Sequence, residues 1–198
     1  TGLDGRTQTW TVFTAPLNVE TKWGDRFGLV WQPEYEFLTA PFEISEGVVI
    51  PPGSYRFDRY GIEVETSGHR PWQIKTDVYF GTFYSGRMTE WEQSVSYTTP
   101  EGHLQLGFSM ENIFGYLPQG HFIERLFQLK VVYAFTPDLI LSYYAQYEND
   151  SDNLGVNARL RWTIQPGTDL YVVWNHNWDH PDGSENWWTM TPVSDQAV

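Results

Sequence analysis

Residues 153–178 read NLGVNARLRWTIQPGTDLYVVWNHNW. The even positions Leu154, Val156, Ala158, Leu160, Trp162 and Ile164 are apolar, and the odd positions Asn153, Asn157, Arg159, Arg161 and Thr163 are polar. Successive side chains of a strand point to opposite faces, so this spacing predicts a strand with one apolar and one wet side. Gln165-Pro166-Gly167-Thr168 interrupts the alternation, which resumes with Leu170, Val172, Trp174 and Trp178 opposite Asp169, Asn175 and Asn177. Two such runs joined by a Pro-Gly turn form a β-hairpin, and a slip of one residue would turn every apolar side chain to the wrong face.

Most of the chain repeats this unit. Thr7–Phe13 is a candidate first strand, and Arg26–Phe37 sets Phe27, Leu29, Trp31, Tyr35 and Phe37 against Arg26, Gln32, Glu34 and Glu36. Pro33 has no ladder donor, which predicts an edge or bulge position. Leu38–Gly53 reads as a long connection. In Tyr55–Thr66 the apolar phase changes from Tyr55 and Phe57 to Tyr60, Ile62 and Val64, predicting a β-bulge near Arg59. Further strands are expected over Trp72–Tyr84, Arg87–Thr98, His103–Asn112, Phe122–Phe135 and Leu139–Tyr147. They are joined by turns at Ser85-Gly86, Pro100-Glu101-Gly102 and Thr136-Pro137-Asp138, and by a looser loop at Phe114–Gly120. The expectation is an all-β, antiparallel meander of about ten strands, one domain over 1–198 with an irregular tail from Asp179, closing into an up-and-down β-barrel. A soluble β-sandwich or jelly roll is the alternative.

Composition narrows the function. The 198 residues carry a formal net charge of -13, which repels phosphate backbones, so nucleic acid is not an expected partner. Cysteine is absent, which removes disulfides, thiolate metal sites and a Cys nucleophile. No run of about 18 apolar residues occurs to make a membrane helix, but barrel strands need only about 9 to 11 residues with every second one facing lipid. The chain opens with no signal peptide, as expected of a mature chain or a fragment.

Alternation by itself suits a soluble sheet as well as a membrane barrel. Three features favour the barrel: successive hairpins with tight turns, aromatic residues near strand ends at Trp72, Tyr84, Tyr97, Tyr133, Tyr147 and Trp178, and charged residues on the opposite faces. Lys75, Asp77, Glu111, Glu124, Lys130, Arg159 and Arg161 form the expected lumen network, with the two arginines pairing acids on neighbouring strands. Gln93 and Arg125, on otherwise apolar faces, run against this pattern. An arginine near the membrane interface costs about 0 to 1 kcal/mol, against about 2 to 4 at the midplane.

The run from Arg125 to Trp174, above all YAFTPD (133–138), Gln146-Tyr147, NARLRW (157–162) and PGTDLYVV (166–173), resembles the C-terminal outer-membrane β-barrel domain of a group of uncharacterised bacterial surface proteins. These carry an N-terminal module similar to family 9 carbohydrate-binding domains. GTFYSG (81–86) and IPPGSYRF (50–57) look like earlier strands of the same barrel. The resemblance implies a bacterial outer-membrane location, lipid as partner, and a porin-like pore or the anchor of a surface glycan-handling protein. This chain lacks the sugar-binding module and an aromatic-terminated last strand, as expected of a fragment or a shortened relative.

Catalytic signals are weak. There is no Gly-x-Ser-x-Gly, phosphate loop or dinucleotide fingerprint, and the expectation is a non-enzymatic protein without cofactor or metal. Glu90 with Glu92, or Glu34 with Glu36, could serve a glycosidase, but nothing in the spacing sets the separation of the carboxyls. His176 and His180 with Asp179 and Asp182 suggest a metal site, and Asp150, Asp152 and Asn153 a Ca²⁺ site; polar loops are the plainer reading. Trp178, Trp187 and Trp188 are candidate sugar-stacking residues, against girdle or packing roles. If the barrel is wrong, the chain is a periplasmic or secreted glycan-binding β-sandwich, or a glycosidase on such a fold.

Overall fold

Period-two stretches become strands throughout. The computed structural model describes residues 8–179 and 191–192, and every regular element among them is a strand. In chain order these are β1 (Thr9–Thr11), β2 (Thr14–Glu20), β3 (Arg26–Leu38), β4 (Phe42–Ser45), β5 (Val48–Ile50), β6 (Gly53–Glu65) and β7 (Trp72–Phe83). They continue as β8 (Gly86–Thr98), β9 (Leu104–Leu117), β10 (Gly120–Thr136), β11 (Leu139–Glu148), β12 (Asn153–Gln165), β13 (Thr168–Asp179) and β14 (Thr191–Pro192). One twelve-stranded sheet runs β1-β3-β6-β7-β8-β9-β10-β11-β12-β13-β14 with β2 also on β3, and β4 pairs with β5 separately. This is the expected all-β antiparallel meander, sequential rather than Greek-key. The ladders among the described residues run from β1 to β14, and none joins those two strands.

The quoted hairpin has the register its pattern predicts. Trp162 faces Leu170, Leu160 faces Val172 and Ala158 faces Trp174, while Asn157 lies opposite Asn175. On the other side of β12, Leu160 pairs with Leu141 and Leu154 with Tyr147. The turn is Pro166-Gly167, and Gly167 supplies the left-handed φ of +87 that the second corner needs.

Five local expectations change. The ladder from β3 to β6 runs unbroken from Arg26–Glu65 to Leu38–Gly53, so there is no bulge at Arg59. The phase change is instead a swap of chemistry between faces: Tyr55 and Phe57 share a face with Arg59, Gly61 and Glu63, and Tyr60, Ile62 and Val64 occupy the other. Pro33 lies inside β3, at the break between β1 and β2, where its carbonyl accepts from Val12 N at 3.1 Å. Its missing donor falls on that same side, where no regular ladder requires it. The connection 39–52 contains the β4–β5 hairpin. The supposed loop 114–120 belongs mostly to β9 and β10, joined through Pro118-Gln119; alternation is hidden there because Ile113, Phe114, Tyr116 and Leu117 put apolar groups on both faces. Finally, the β7–β8 turn is Tyr84-Ser85, one residue earlier than read, with Tyr84 at φ 46.

Contacts group the chain into two compact units. The first comprises Thr1–Ser67, Lys75–Gln93 and Glu111–Glu124, and its buried apolar residues are Val30, Val48, Ile50, Phe57, Met88 and Phe122. The second comprises Gly68–Ile74, Ser94–Met110 and Arg125–Val198, and Val156 is its buried apolar residue among those described. In both units the large side chains of the apolar face are exposed: Trp31, Tyr60, Ile62 and Phe80 in the first, and Leu129, Trp162, Val172 and Trp174 in the second.

Candidate functional site

The polar face of the first unit carries interlocking charges. Strands β6 and β7 set Arg59 opposite Gly81, Gly61 opposite Tyr79, Glu63 opposite Asp77, and Glu65 opposite Lys75. Lys75 Nζ lies 2.5 Å from Asp77 Oδ2, joining two of the residues expected in a lumen network. Asp77 is 4% exposed while the Lys75 side chain is half exposed, so a buried carboxylate is neutralised by an ammonium that reaches in from solvent. Tyr79 donates its phenol proton to Glu63. On β8, Glu90 Oε2 accepts from Arg59 Nη2 at 2.5 Å. Glu111 of β9 stands within electrostatic reach of Glu90 and Glu92. Glu124 occupies the same unit at the start of β10. Glu34, Glu36, Glu63, Asp77, Glu90, Glu92 and Glu111 thus outnumber Arg59 and Lys75, which makes the face cation-attracting.

Sequence reasoning missed the Arg59–Glu90 pair and the two tyrosine–glutamate bonds. The bulge assumed at Arg59 put that residue at an irregularity rather than on the polar face. Tyr84 is one of the aromatics that the sequence pattern places at a membrane border. It instead joins Tyr55, Phe57 and Phe83, with ring centroids 5.1, 5.4 and 4.7 Å away, and donates to Glu36 Oε2 at 2.6 Å. Burial first, and then that hydrogen bond, push the Tyr84 phenol up, so it persists as a donor. These contacts hold its unfavourable left-handed backbone in place.

The second unit is different in kind. Lys130 faces Tyr144 across the β10–β11 ladder. Arg159 lies between Ser142 and Val173, and Arg161 between Ile140 and Tyr171. The acid partners expected for these arginines are not their cross-strand neighbours, and neither makes an ion pair among the described residues. In their place the polar face of β11–β13 is rich in neutral amides. Gln146, Asn153, Asn157, Asn175 and Asn177, with Tyr144, line a cavity of about 420 Å³.

The apolar face of β13 ends in an aromatic ladder. His176 is stacked on Trp174, with centroids 5.8 Å apart and planes at 5°, and meets Trp178 edge-on at 4.3 Å. Trp178 therefore lies on the face opposite the amide cleft, and His176 is packed between two rings. Trp187, Trp188, His180 and Asp182 lie outside the described residues. Asp152 Oδ1 accepts from the Tyr147 phenol at 3.0 Å, and Asn153 donates to Asp179 at 2.5 Å, so two of the three side chains of the suggested Ca²⁺ turn, Asp150 being the third, are engaged. No group of three His, Asp or Glu suited to a metal ion occurs among the described residues.

Of the two residues that run against the barrel pattern, Gln93 is accommodated by local hydrogen bonds. The Gln93 amide accepts from Thr76 Oγ1 at 2.6 Å and donates to the Lys75 carbonyl at 3.0 Å, so its polar groups are matched on an apolar face. Arg125 lies level with the β11–β12 turn, where its carbonyl accepts from Asn149 N at 3.2 Å. That is level with the end of β11 but five residues inside β10. No family model, curated protein or solved structure matches this chain.

Proposed function

We propose that this chain is a non-enzymatic outer-membrane β-barrel that anchors a bacterial surface glycan-handling protein. The observation that carries the reading is the inversion of its faces. In the first unit large apolar side chains are exposed along one face, with Trp31 at 41%, Tyr60 at 48% and Phe80 at 44%, while the face bearing Asp77, Arg59 and Glu90 is largely buried. A soluble sandwich would press those apolar faces against a second sheet. Soluble monomers rarely leave a contiguous apolar patch much beyond about 300–600 Å² in water, and lipid is the solvent that such a surface suits.

Three further features support it. β3 and β6–β13 are each 10–17 residues long, and a tilted strand needs about 9–11 to cross a bilayer. Tyr60 of the first unit's apolar face is flanked by Trp31, whose indole N–H donates to Asp58 Oδ1 at 3.1 Å, and the outward positions beyond it on β6 are Ser54, Arg56 and Asp58. An aromatic with its polar tip toward water is what a membrane border selects. Trp72 and Tyr97, 4.4 Å apart, make a similar pair in the second unit.

An anchor is favoured over an open pore because Val48, Ile50, Phe57, Met88 and Phe122 fill the first unit. Val48 Cγ2 lies 3.0 Å from where a Cβ on Gly120 would stand, and Phe122, two residues along that strand, is 7% exposed. The test is refolding into detergent micelles and lipid vesicles. The expected result is protease protection of the strands in vesicles and a compact, heat-modifiable band on gels. A monodisperse, stable protein in plain buffer that ignores vesicles would overturn the reading.

A further inference from the structure

We infer that the amide cleft on the polar face of β11, β12 and β13 binds a neutral saccharide. Its walls are set by register: Tyr144 faces Asn157 and Gln146 faces Gly155 across one ladder, and Asn157 faces Asn175 and Gly155 faces Asn177 across the next. Gly155 opens the floor. A Cβ there would stand 3.2 Å from Asn177 Oδ1 and 3.9 Å from Asn153 Oδ1, so any larger residue would fill the space between the amides. At about 420 Å³ the cavity falls in the range of about 300–1,000 Å³ typical of small-ligand sites.

The bonds already made inside the cleft select its chemistry. Gln146 Oε1 accepts from the Tyr144 phenol at 2.7 Å and from Gln128 at 3.3 Å, and Asn175 Oδ1 accepts from Asn157. Those contacts use carbonyl oxygens and leave the NH₂ groups of Gln146 and Asn175, and the whole amide of Asn177, without partners among the described residues. Each primary amide offers two donors beside its acceptor oxygen. A ligand that accepts several hydrogen bonds and returns some is required, and a row of sugar hydroxyls does both.

Charge excludes the rivals. The lining contains no Lys or Arg and one carboxylate, Glu148, so phosphate and uronate ligands are disfavoured. An apolar ligand would strand the free amide donors. The half-exposed Tyr144 ring offers a flat surface for the C–H face of a pyranose. The inference deepens the glycan-handling part of the proposed function and rests on it, while owing nothing to membrane insertion.

The experiment is calorimetric titration of the folded chain in micelles with maltotriose, cellotriose and xylotriose, with trigalacturonate as the charged control, up to about 10 mM. At least one neutral probe is expected to bind about tenfold or more tightly than trigalacturonate. Gly155→Val and Asn177→Ala should each weaken that binding about tenfold, and Trp178→Ala, on the opposite face, should leave it unchanged. Because the Asn177 side chain makes no hydrogen bond to the described residues, Asn177→Ala remains informative if Gly155→Val fails to fold. Silence of all three neutral probes, or undiminished binding by Asn177→Ala, overturns the inference. The vesicle test reads out separately, so failure of the sugar site and failure of the barrel are distinguishable.

Discussion

Gly61 has no side chain because Tyr79 occupies its space. A Cβ there would meet Tyr79 Cε1 at 2.5 Å and Val30 Cβ at 3.1 Å, and the ring it admits carries the phenol that donates to Glu63. An aromatic laid over a facing glycine pins the register of the two strands. Gly61→Ala should therefore cost about 1–3 kcal/mol by overpacking, measured by urea unfolding in micelles. The Arg59–Glu90 pair, with side chains 13% and 18% exposed, makes a second prediction. Arg59→Met leaves a buried carboxylate alone and should cost about 3–5 kcal/mol, whereas the double change Arg59→Met with Glu90→Leu should recover most of that loss. A double-mutant cycle by urea titration reads this directly, and additive losses would show that the pair acts separately.

At the scale of the element, β6 shows how a strand serves two environments. Its first half places Phe57 on the same face as the polar residues of its second half, and the unbroken ladder with β3 keeps both in one register. The β4–β5 hairpin complements that change. Ile50 is 0% exposed and Val48 4%, so this short sheet is held by burial rather than by its few ladder pairs. A two-stranded hairpin has little stability of its own in water. Ile50→Ala should cost about 2–5 kcal/mol through lost burial and the cavity left behind. Hydrogen exchange should then show faster opening at 42–50 than in the β11–β12 ladder; uniform opening would mean that the hairpin is not a separate packing unit. The hairpin was illegible in sequence because FEIS and VVI are too short for a period to emerge, and Val48–Ile50 are consecutive apolar residues.

For the whole molecule, the environment of the apolar face decides between a membrane protein and a soluble one. Val172, paired with Leu160 in the middle of the β12–β13 ladder, is the test position. In water, arginine at this exposed site should change stability by no more than about 0.5 kcal/mol. In a bilayer, Val172→Arg should cost about 2–4 kcal/mol near the midplane. Unfolding of both proteins in vesicles, set against micelles, measures the difference. An equal, small effect in both would remove lipid as the partner of this face.

What the sequence determined by itself was the strand, its faces and its register. Side-chain alternation has a period of two and a one-residue slip inverts it, and a one-residue bulge beside each of the Pro-Gly and Thr-Pro-Asp turns, at Ile164 and Phe135, brings the apolar faces of the paired strands into phase. That Leu160 shares a face with Val172 and Leu141 follows from that pattern, and the bulge at Ile164 sets Leu160 opposite Val172. Only tertiary structure decided which polar residues meet. Lys75 and Asp77 do, as neighbours on one face of β7, whereas Arg159 and Arg161 face Ser142, Val173, Ile140 and Tyr171 rather than acids. It also decided that Glu90 belongs to Arg59, and that Asn157, Asn175 and Asn177 gather around the missing side chain of Gly155. The physical reason is range: a face is set by geometry within one strand, but a partner is set by how strands far apart in the chain align, and no local period encodes that alignment.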